Sequence, residues 1–258
     1  MKKNTTTQLL VLLFLLPLAA VSQSPDTTRP LTTFSGSLGL TTNGFSIVPS
    51  FSLNSPAYIV QLGWRRRQFS IDPDIRMTPD LRKGGIILWF RYYPVEGKRF
   101  SLRVGAHPAL NFQRRDVVEN GVTTHIGQMR HFLAWELAPN LRLGSKGSIG
   151  IYVLDGYGLQ GDHPRTTHFI TLNGSVRDLR IGGDLRLALS PAVYYLNVDG
   201  KEGTYLTATA AISHPGWPLS LESTINQTFH SVVPNNKIFM WNLSLKYNFS
   251  KKLAILKK

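Results

Sequence analysis

The closing segment of the chain alternates strictly between two kinds of side chain. One set is Phe239, Trp241, Leu243, Leu245, Tyr247 and Phe249, and the set between them is Met240, Asn242, Ser244, Lys246 and Asn248. Because successive side chains of a β-strand point to opposite faces, this segment would have one apolar, aromatic face and one mostly polar face. A strand of about 10 residues with this pattern has the length that crosses a bilayer in a β-barrel.

Similar alternation recurs in segments that begin at Phe100, Ile181, Leu206 and Leu219. In a water-soluble sandwich the apolar set would face the core, whereas in a membrane barrel it faces lipid and the polar set lines the interior. The pattern predicts an all-β fold, a transmembrane antiparallel up-and-down β-barrel. A soluble secreted β-sandwich binding module is the alternative fold that alternation leaves open.

The spacing of the connections favours the barrel. Longer connections are expected at 78–84, 114–128, 158–166, 197–203 and 230–236, and shorter ones at 64–68, 94–98, 140–147, 178–180 and 214–218. Alternation of long external loops with short periplasmic turns is typical of outer-membrane barrels. If 34–53 is one long first strand, kinked at Asn43-Gly44, and 54–56 is a short external loop, the count is about twelve strands, an even number. Asn43-Gly44 is also a common hairpin dipeptide, and a tight turn there would make the count odd. Fourteen strands is the alternative count.

The N-terminus has the pattern of a secretory signal. Lys2 and Lys3 precede an apolar run, and Ala20-Val21-Ser22 is a small-x-small cleavage site. We expect a signal peptide over 1–22, a flexible periplasmic leader over 23–33, the barrel over 34–249 and a basic tail over 250–258. The chain has no cysteine, which excludes a disulfide framework.

The net charge of +14 limits the possible partners. An exported chain rarely meets nucleic acid, so we expect no nucleic-acid partner. The expected partners are outer-membrane lipids, whose anionic head groups attract basic residues, lipopolysaccharide, and the barrel-assembly machinery. The densest basic run, Arg65-Arg66-Arg67, lies at an expected periplasmic turn.

Two sets of residues are candidates for a functional role. The first would line the lumen, where opposite charges either pair or form a charged eyelet: Arg91, Arg103, His107, Glu136, Asp184, Arg186, Glu222 and Lys246. The second would form an aromatic girdle at the membrane interfaces: Trp64, Trp89, Tyr92, Trp135, Trp217, Trp241 and Tyr247.

Enzymatic and metal chemistry have weak support in the sequence. His230 and Ser231 are the catalytic candidates for a lipase or deacylase, but adjacent strand residues point to opposite faces. The G-x-S-x-G nucleophile elbow is missing. The histidines lack metal-ligand spacing, so we expect no metal and no cofactor.

Several segments carry a resemblance to a known class of protein: the signal ending Ala20-Val21-Ser22-Gln23, the run 43–51, the stretches 87–92 and 103–109, and the aromatic closing strand to Phe249. Together they resemble Bacteroidota-type outer-membrane β-barrel proteins. The resemblance covers nearly all of the expected mature chain and specifies a barrel rather than an activity. It implies an integral protein of a Gram-negative outer membrane. We expect a monomer by default, with solute passage or binding, or a structural role in the envelope, as its function. A lipid-modifying enzyme is the alternative activity.

Overall fold

The computed structural model describes residues 32–119, 122–161, 164–234 and 236–253. The expected signal peptide, most of the expected leader and the last five residues lie outside these ranges.

Twelve antiparallel strands close into a single barrel, which confirms the predicted fold class and strand number. The strands are β1 (Thr32–Thr41), β2 (Ala57–Arg66), β3 (Phe69–Met77), β4 (Lys83–Glu96), β5 (Phe100–Glu119), β6 (Val122–Leu143), β7 (Gly147–Gly158), β8 (Thr166–Gly182), β9 (Leu185–Val198), β10 (Lys201–Ser213), β11 (Leu219–Ser231) and β12 (Phe239–Leu253). Each strand pairs with its sequence neighbours, and β1 pairs with β12 from Thr32↔Leu253 to Thr41↔Ser244. Closure leaves the sheet without an edge strand.

The barrel has two distinct ends. The end where β1 begins and β12 finishes carries connections 67–68, 97–99, 144–146, 183–184 and 214–218, and is called the short-turn end. The opposite end carries connections 42–56, 78–82, 120–121, 159–165, 199–200 and 232–238, and is called the long-loop end. The predicted alternation of loop length is correct for most hairpins. It is wrong at the long-loop end where β5 and β6 pair as far as Glu119↔Val122, and where β9 and β10 are joined by the two-residue turn 199–200.

The predicted first strand over 34–53 is wrong. Strand β1 ends at Thr41, and residues 42–56 form a long connection that contains a short 3₁₀ turn, Pro49–Phe51. The short loop expected at 54–56 is only the last part of this connection. Pro49 cannot donate a ladder hydrogen bond, which disfavours a strand through this segment.

Other boundaries also differ from the sequence prediction. The expected loop 114–128 is mostly strand, because β5 and β6 pair with each other from Phe100↔Leu141 to Glu119↔Val122. Beyond Gln113 and Phe132 these strands have no outer neighbour in the described ladders, so they extend past the barrel as a hairpin. The turn expected at 178–180 lies inside β8, at a register shift, and the chain turns at 183–184 instead. Strand β1 begins inside the expected leader, and β12 runs four residues into the expected tail.

The apolar set of each alternating strand faces outward, as a membrane barrel requires. Leu172 on β8 is 49% exposed and Leu221 on β11 is 45% exposed, whereas the inward-facing Ser70 and Glu136 are each 2% exposed. A soluble sandwich would show the opposite arrangement, so the structure contradicts that alternative. No helix in the described ranges is long and apolar enough to span a membrane.

The outward apolar face generates a test. Leu172→Arg should destabilise the barrel in lipid vesicles by about 2–4 kcal/mol, because the charge would lie near the middle of the hydrocarbon layer. The matched control is Ile126→Arg, since Ile126 is 47% exposed but lies on the hairpin beyond the barrel. Urea unfolding in vesicles measures both. If both substitutions lower the free energy of unfolding by the same small amount, Leu172 does not face lipid.

Candidate lumen site and its inward loop

Residues 42–56 form an inward loop that enters the barrel from the long-loop end. Its two arms bond to each other, from the Leu53 amide to the Gly44 carbonyl at 3.0 Å and from the Ser55 amide to the Asn43 carbonyl at 3.1 Å. Gly44 has φ +53, and a Cβ there would lie 2.9 Å from the Cβ of Leu53. This position therefore requires glycine for both its backbone conformation and the space it leaves.

The base of the inward loop is fixed to strand β12. The Thr42 amide donates to the Leu243 carbonyl at 2.9 Å, and the Asn43 amide donates to Asn242 Oδ1 at 2.9 Å. Farther in, Arg76 Nη1 donates to the Phe45 carbonyl at 3.3 Å. The loop is thus bonded to both β12 and β3.

The tip of the inward loop packs against two sides of the barrel wall. Val48 and Phe51 contact the cluster that contains Ile87 and Phe132 on β4 and β6. On the other side, Ile47 packs on a larger cluster: Ala134, Leu154, Phe169, Tyr194, Leu196, Val198, Tyr205 and Val233. Burial of these apolar groups holds the loop across the lumen.

The inward loop divides the lumen into two cavities. The lower chamber, toward the short-turn end, has a volume of about 980 Å³, and the upper chamber, toward the long-loop end, has about 910 Å³. Phe45, Ser46, Ile47 and Phe51 line both chambers. The loop therefore lies between the two chambers.

Three charged side chains of the predicted lumen set, together with Asp72, form one network on the wall of the lower chamber. The side chain of Glu136 is fully buried, and its Oε1 lies 2.9 Å from Arg91 Nε and 2.8 Å from Arg103 Nε. Arg91 Nη1 also donates to Asp72 Oδ2 at 2.8 Å. Asp72 accepts a further bond from the Ser70 hydroxyl at 2.9 Å. The guanidinium charges on this wall are thus compensated by carboxylates.

The same compensation holds elsewhere on the inner wall. Arg76 makes a two-point contact with Asp74, at 2.8 and 2.9 Å, and Gln61 donates to that carboxylate. Lys246 Nζ lies 2.6 Å from Glu222 Oε2.

Of two further residues of the predicted lumen set, Arg186 lies on strand β9, whereas Asp184 lies in the turn before it. Arg186 Nε lies 3.0 Å from Asp178 Oδ1 near the short-turn end. Asp184 lies in the exposed turn 183–184, so its predicted place in the lumen is wrong. The chain reverses there instead of continuing as a strand.

The Trp89 and His107 rings contact each other inside the barrel, with centroids 3.8 Å apart and planes tilted by 54°. His107 is 4% exposed and lines the lower chamber, where the sequence predicted it. Trp89 packs against both apolar clusters and lies under the Arg91 guanidinium at 4.3 Å. Its assignment to the aromatic girdle is therefore wrong, because its place on β4 puts it on the inward face.

The other six girdle candidates have exposed side chains: Trp64, Tyr92, Trp135, Trp217, Trp241 and Tyr247. Trp64, Tyr92, Trp217 and Tyr247 lie toward the short-turn end, and the remaining two lie nearer the long-loop end. Their function as a membrane girdle stays a prediction.

The catalytic candidates do not contact each other in a catalytic arrangement. The Ser231 hydroxyl lies 2.7 Å from the Tyr205 hydroxyl and accepts from the Val233 amide at 3.1 Å. His230 is exposed, and its backbone pairs with Thr204. Among the described side chains, no group of three or more His, Cys, Asp or Glu is placed to hold a metal ion.

The buried network generates a second test. Glu136→Gln should lower the free energy of unfolding by about 3–5 kcal/mol, because it leaves two guanidinium groups without their shared carboxylate. Glu222→Gln is the matched control, since the Glu222–Lys246 pair is partly exposed and its loss should cost less. Chemical unfolding in vesicles measures both variants. A cost for Glu136→Gln no larger than that of the control would contradict the role assigned to the network.

Comparison with known proteins identifies a fold but no family. No protein-family model matches the sequence, and no curated protein matches it. The KdgM porin, solved alone and in complex with disordered oligogalacturonate, aligns over 83% of this chain and 99% of its own, with TM-score 0.52 and 9% identity. An outer-membrane channel from Pseudomonas putida F1 aligns over 91% of this chain, and 100% of its own, with TM-score 0.45 and 12% identity. The chain therefore has the fold of an outer-membrane β-barrel.

Proposed function

We propose that this protein is an integral outer-membrane barrel that binds small solutes in its lumen and passes them across the membrane, with residues 42–56 as the constriction. The observation that carries the proposal is the partition of the lumen by the inward loop. A purely structural barrel needs no cavity of about 980 Å³, whereas this volume lies in the range of pockets that take small molecules.

The orientation follows from the two ends of the barrel. The short-turn end faces the periplasm, because outer-membrane barrels have short turns on that side. Basic residues concentrate at this end: Arg65, Arg66, Arg67, Lys98, Arg99, Arg142, Lys146, Arg177, Arg180, Lys251 and Lys252. They face anionic head groups of the inner leaflet, to which each basic side chain near the surface contributes about 1 kcal/mol of attraction.

The expected partners belong to this proposal. The long-loop end meets lipopolysaccharide, the outward apolar face meets lipid, and the assembly machinery inserts the chain. Export by the signal peptide over 1–22 and a monomeric state are part of the same proposal. The narrower resemblance to barrels of the Bacteroidota stays a prediction from sequence.

Passage of an acidic sugar polymer is a second candidate, suggested by the oligogalacturonate complex of the KdgM porin. The inner wall argues against it here. A polyanion needs guanidinium groups that can bind its carboxylates, but Arg76, Arg91 and Arg103 are already paired with carboxylates of the chain. Binding a polyanion would require these buried pairs to separate.

Removal of the constriction tests the proposal. Replacing residues 45–53 with two glycines should raise single-channel conductance in planar bilayers several-fold, because the partition is lost while the base of the loop stays bonded to β12. The ends of the deleted segment are adjacent, since the Leu53 amide bonds to the Gly44 carbonyl.

The matched control is removal of residues 116–125 from the β5–β6 hairpin, closed again by two glycines. This hairpin lies outside the lumen, so conductance should not change. If neither the parent protein nor the loop variant conducts ions or admits small sugars into liposomes, solute passage is excluded.

A further inference from the structure

We infer that the lower chamber is a binding site for uncharged amphiphiles, molecules with one apolar ring and several hydroxyl or amide groups. The inference rests on the proposed handling of small solutes and names their chemical class. It follows from the order of side chains along the chamber wall.

The part of the lower chamber beneath the inward loop is apolar. The loop contributes Phe45, Ile47, Val48 and Phe51 to its lining. The adjoining wall contributes Ile87, Phe132, Leu154 and Phe169, of which each is less than 9% exposed. Transfer of an apolar group of a ligand from water into such a cavity is favourable.

The part nearer the short-turn end is polar. On β8 the inward positions change from Phe169 to Thr171, Asn173 and Ser175 as the strand descends. On β10 the corresponding residues are Thr207 and Thr209, and on β9 the lowest chamber residue is Ser190. The Thr171 and Thr207 hydroxyls donate to backbone carbonyls of the barrel, and Thr209 and Ser175 bond to neighbouring hydroxyls. Their oxygens can still accept a hydrogen bond, and the Asn173 amide can both donate and accept, so they suit neutral polar groups of a ligand.

Charge compensation excludes a strongly ionic ligand. Asp72, Asp74, Arg76, Arg91 and Arg103 line the chamber, and Glu136 lies behind the last two. The three guanidinium groups are balanced by the three carboxylates, and every one of these carboxylates contacts an arginine at 2.8–2.9 Å. A ligand with net charge would meet no uncompensated charge of opposite sign among these groups.

Aromatic side chains at the boundary between the apolar and the polar part favour a ligand that carries an aromatic ring. Trp89 lies between the apolar clusters and Arg91, and Tyr152 contacts Phe169 edge-on, with ring centroids 5.9 Å apart. Both side chains line the chamber. Because His107 and Arg91 lie against the Trp89 ring, Trp89 can contact a ligand ring only at its edge. Edge-to-face packing of this kind is a favoured arrangement of aromatic rings.

Isothermal titration calorimetry on the full chain in lipid nanodiscs tests this inference with three matched probes. They are para-nitrophenyl β-D-glucoside, which has a ring and no charge; para-nitrophenyl β-D-glucuronide, which adds a carboxylate; and glucose, which has no aromatic ring. We expect saturable binding of the glucoside, weaker binding of the glucuronide and no measurable binding of glucose. Empty nanodiscs give the partition background.

Two variants locate the binding. Ala192→Trp fills the chamber from β9 and should weaken glucoside binding roughly tenfold or more, equal to about 1.4 kcal/mol or more. Val193→Trp is the control, because the adjacent Val193 is exposed on the outer wall and its replacement should leave affinity unchanged. Ala138→Trp fills the chamber from β6, three strands away, and repeats the test if the first variant fails to fold, as judged by heat-modifiable gel mobility.

Several outcomes would overturn the inference. Tighter binding of the glucuronide would show an anion site, and equal binding of glucose would show a sugar site without preference for a ring. Glucoside affinity that survives both chamber-filling variants would place binding elsewhere, and absence of saturable glucoside binding would remove the site. Uptake of small sugars into liposomes is measured separately. If uptake occurs but the glucoside does not bind, the proposed solute passage stands and only the inferred ligand class is wrong.

Discussion

Pairing of the backbone between β1 and β12 is the constraint on which the rest of this structure depends. Every strand then has a neighbour on both sides, so the ladder hydrogen bonds are completed within the chain. The hydrocarbon core of a membrane contains no groups that can hydrogen-bond to backbone amides and carbonyls. Only a closed sheet or a helix satisfies all of these backbone groups within the chain. Once the sheet is closed, each side chain must face either the outside or the lumen.

The division into two faces explains the interior chemistry. The apolar set faces outward, so the polar and charged residues of every strand meet in a confined lumen. A buried charge is costly unless it is paired, and here the carboxylates of Asp72, Asp74 and Glu136 each contact an arginine. Pairing thus compensates the charges of the carboxylate and guanidinium groups on this wall.

The inward loop divides the lumen of the barrel into two chambers. Its apolar tip cannot remain in water at the end of the barrel without exposing Ile47, Val48 and Phe51 together. Inside the lumen the same side chains complete two apolar clusters of the wall. One segment thus lies across the lumen and provides the apolar boundary of the lower chamber.

The sequence by itself indicated an antiparallel barrel of about twelve strands and the inward direction of Arg91, Arg103, His107 and Glu136. These features follow from a local rule, the two-residue period of a strand, which each segment shows without reference to the others. Only the tertiary structure decided where residues 42–56 lie, that Trp89 faces inward, and which carboxylate meets which arginine. Those outcomes depend on strand register and on contacts between residues distant in the chain, such as Asn43 with Asn242 and Arg91 with Glu136. Local periodicity carries no information on such contacts, because a shift of register changes every cross-strand partner.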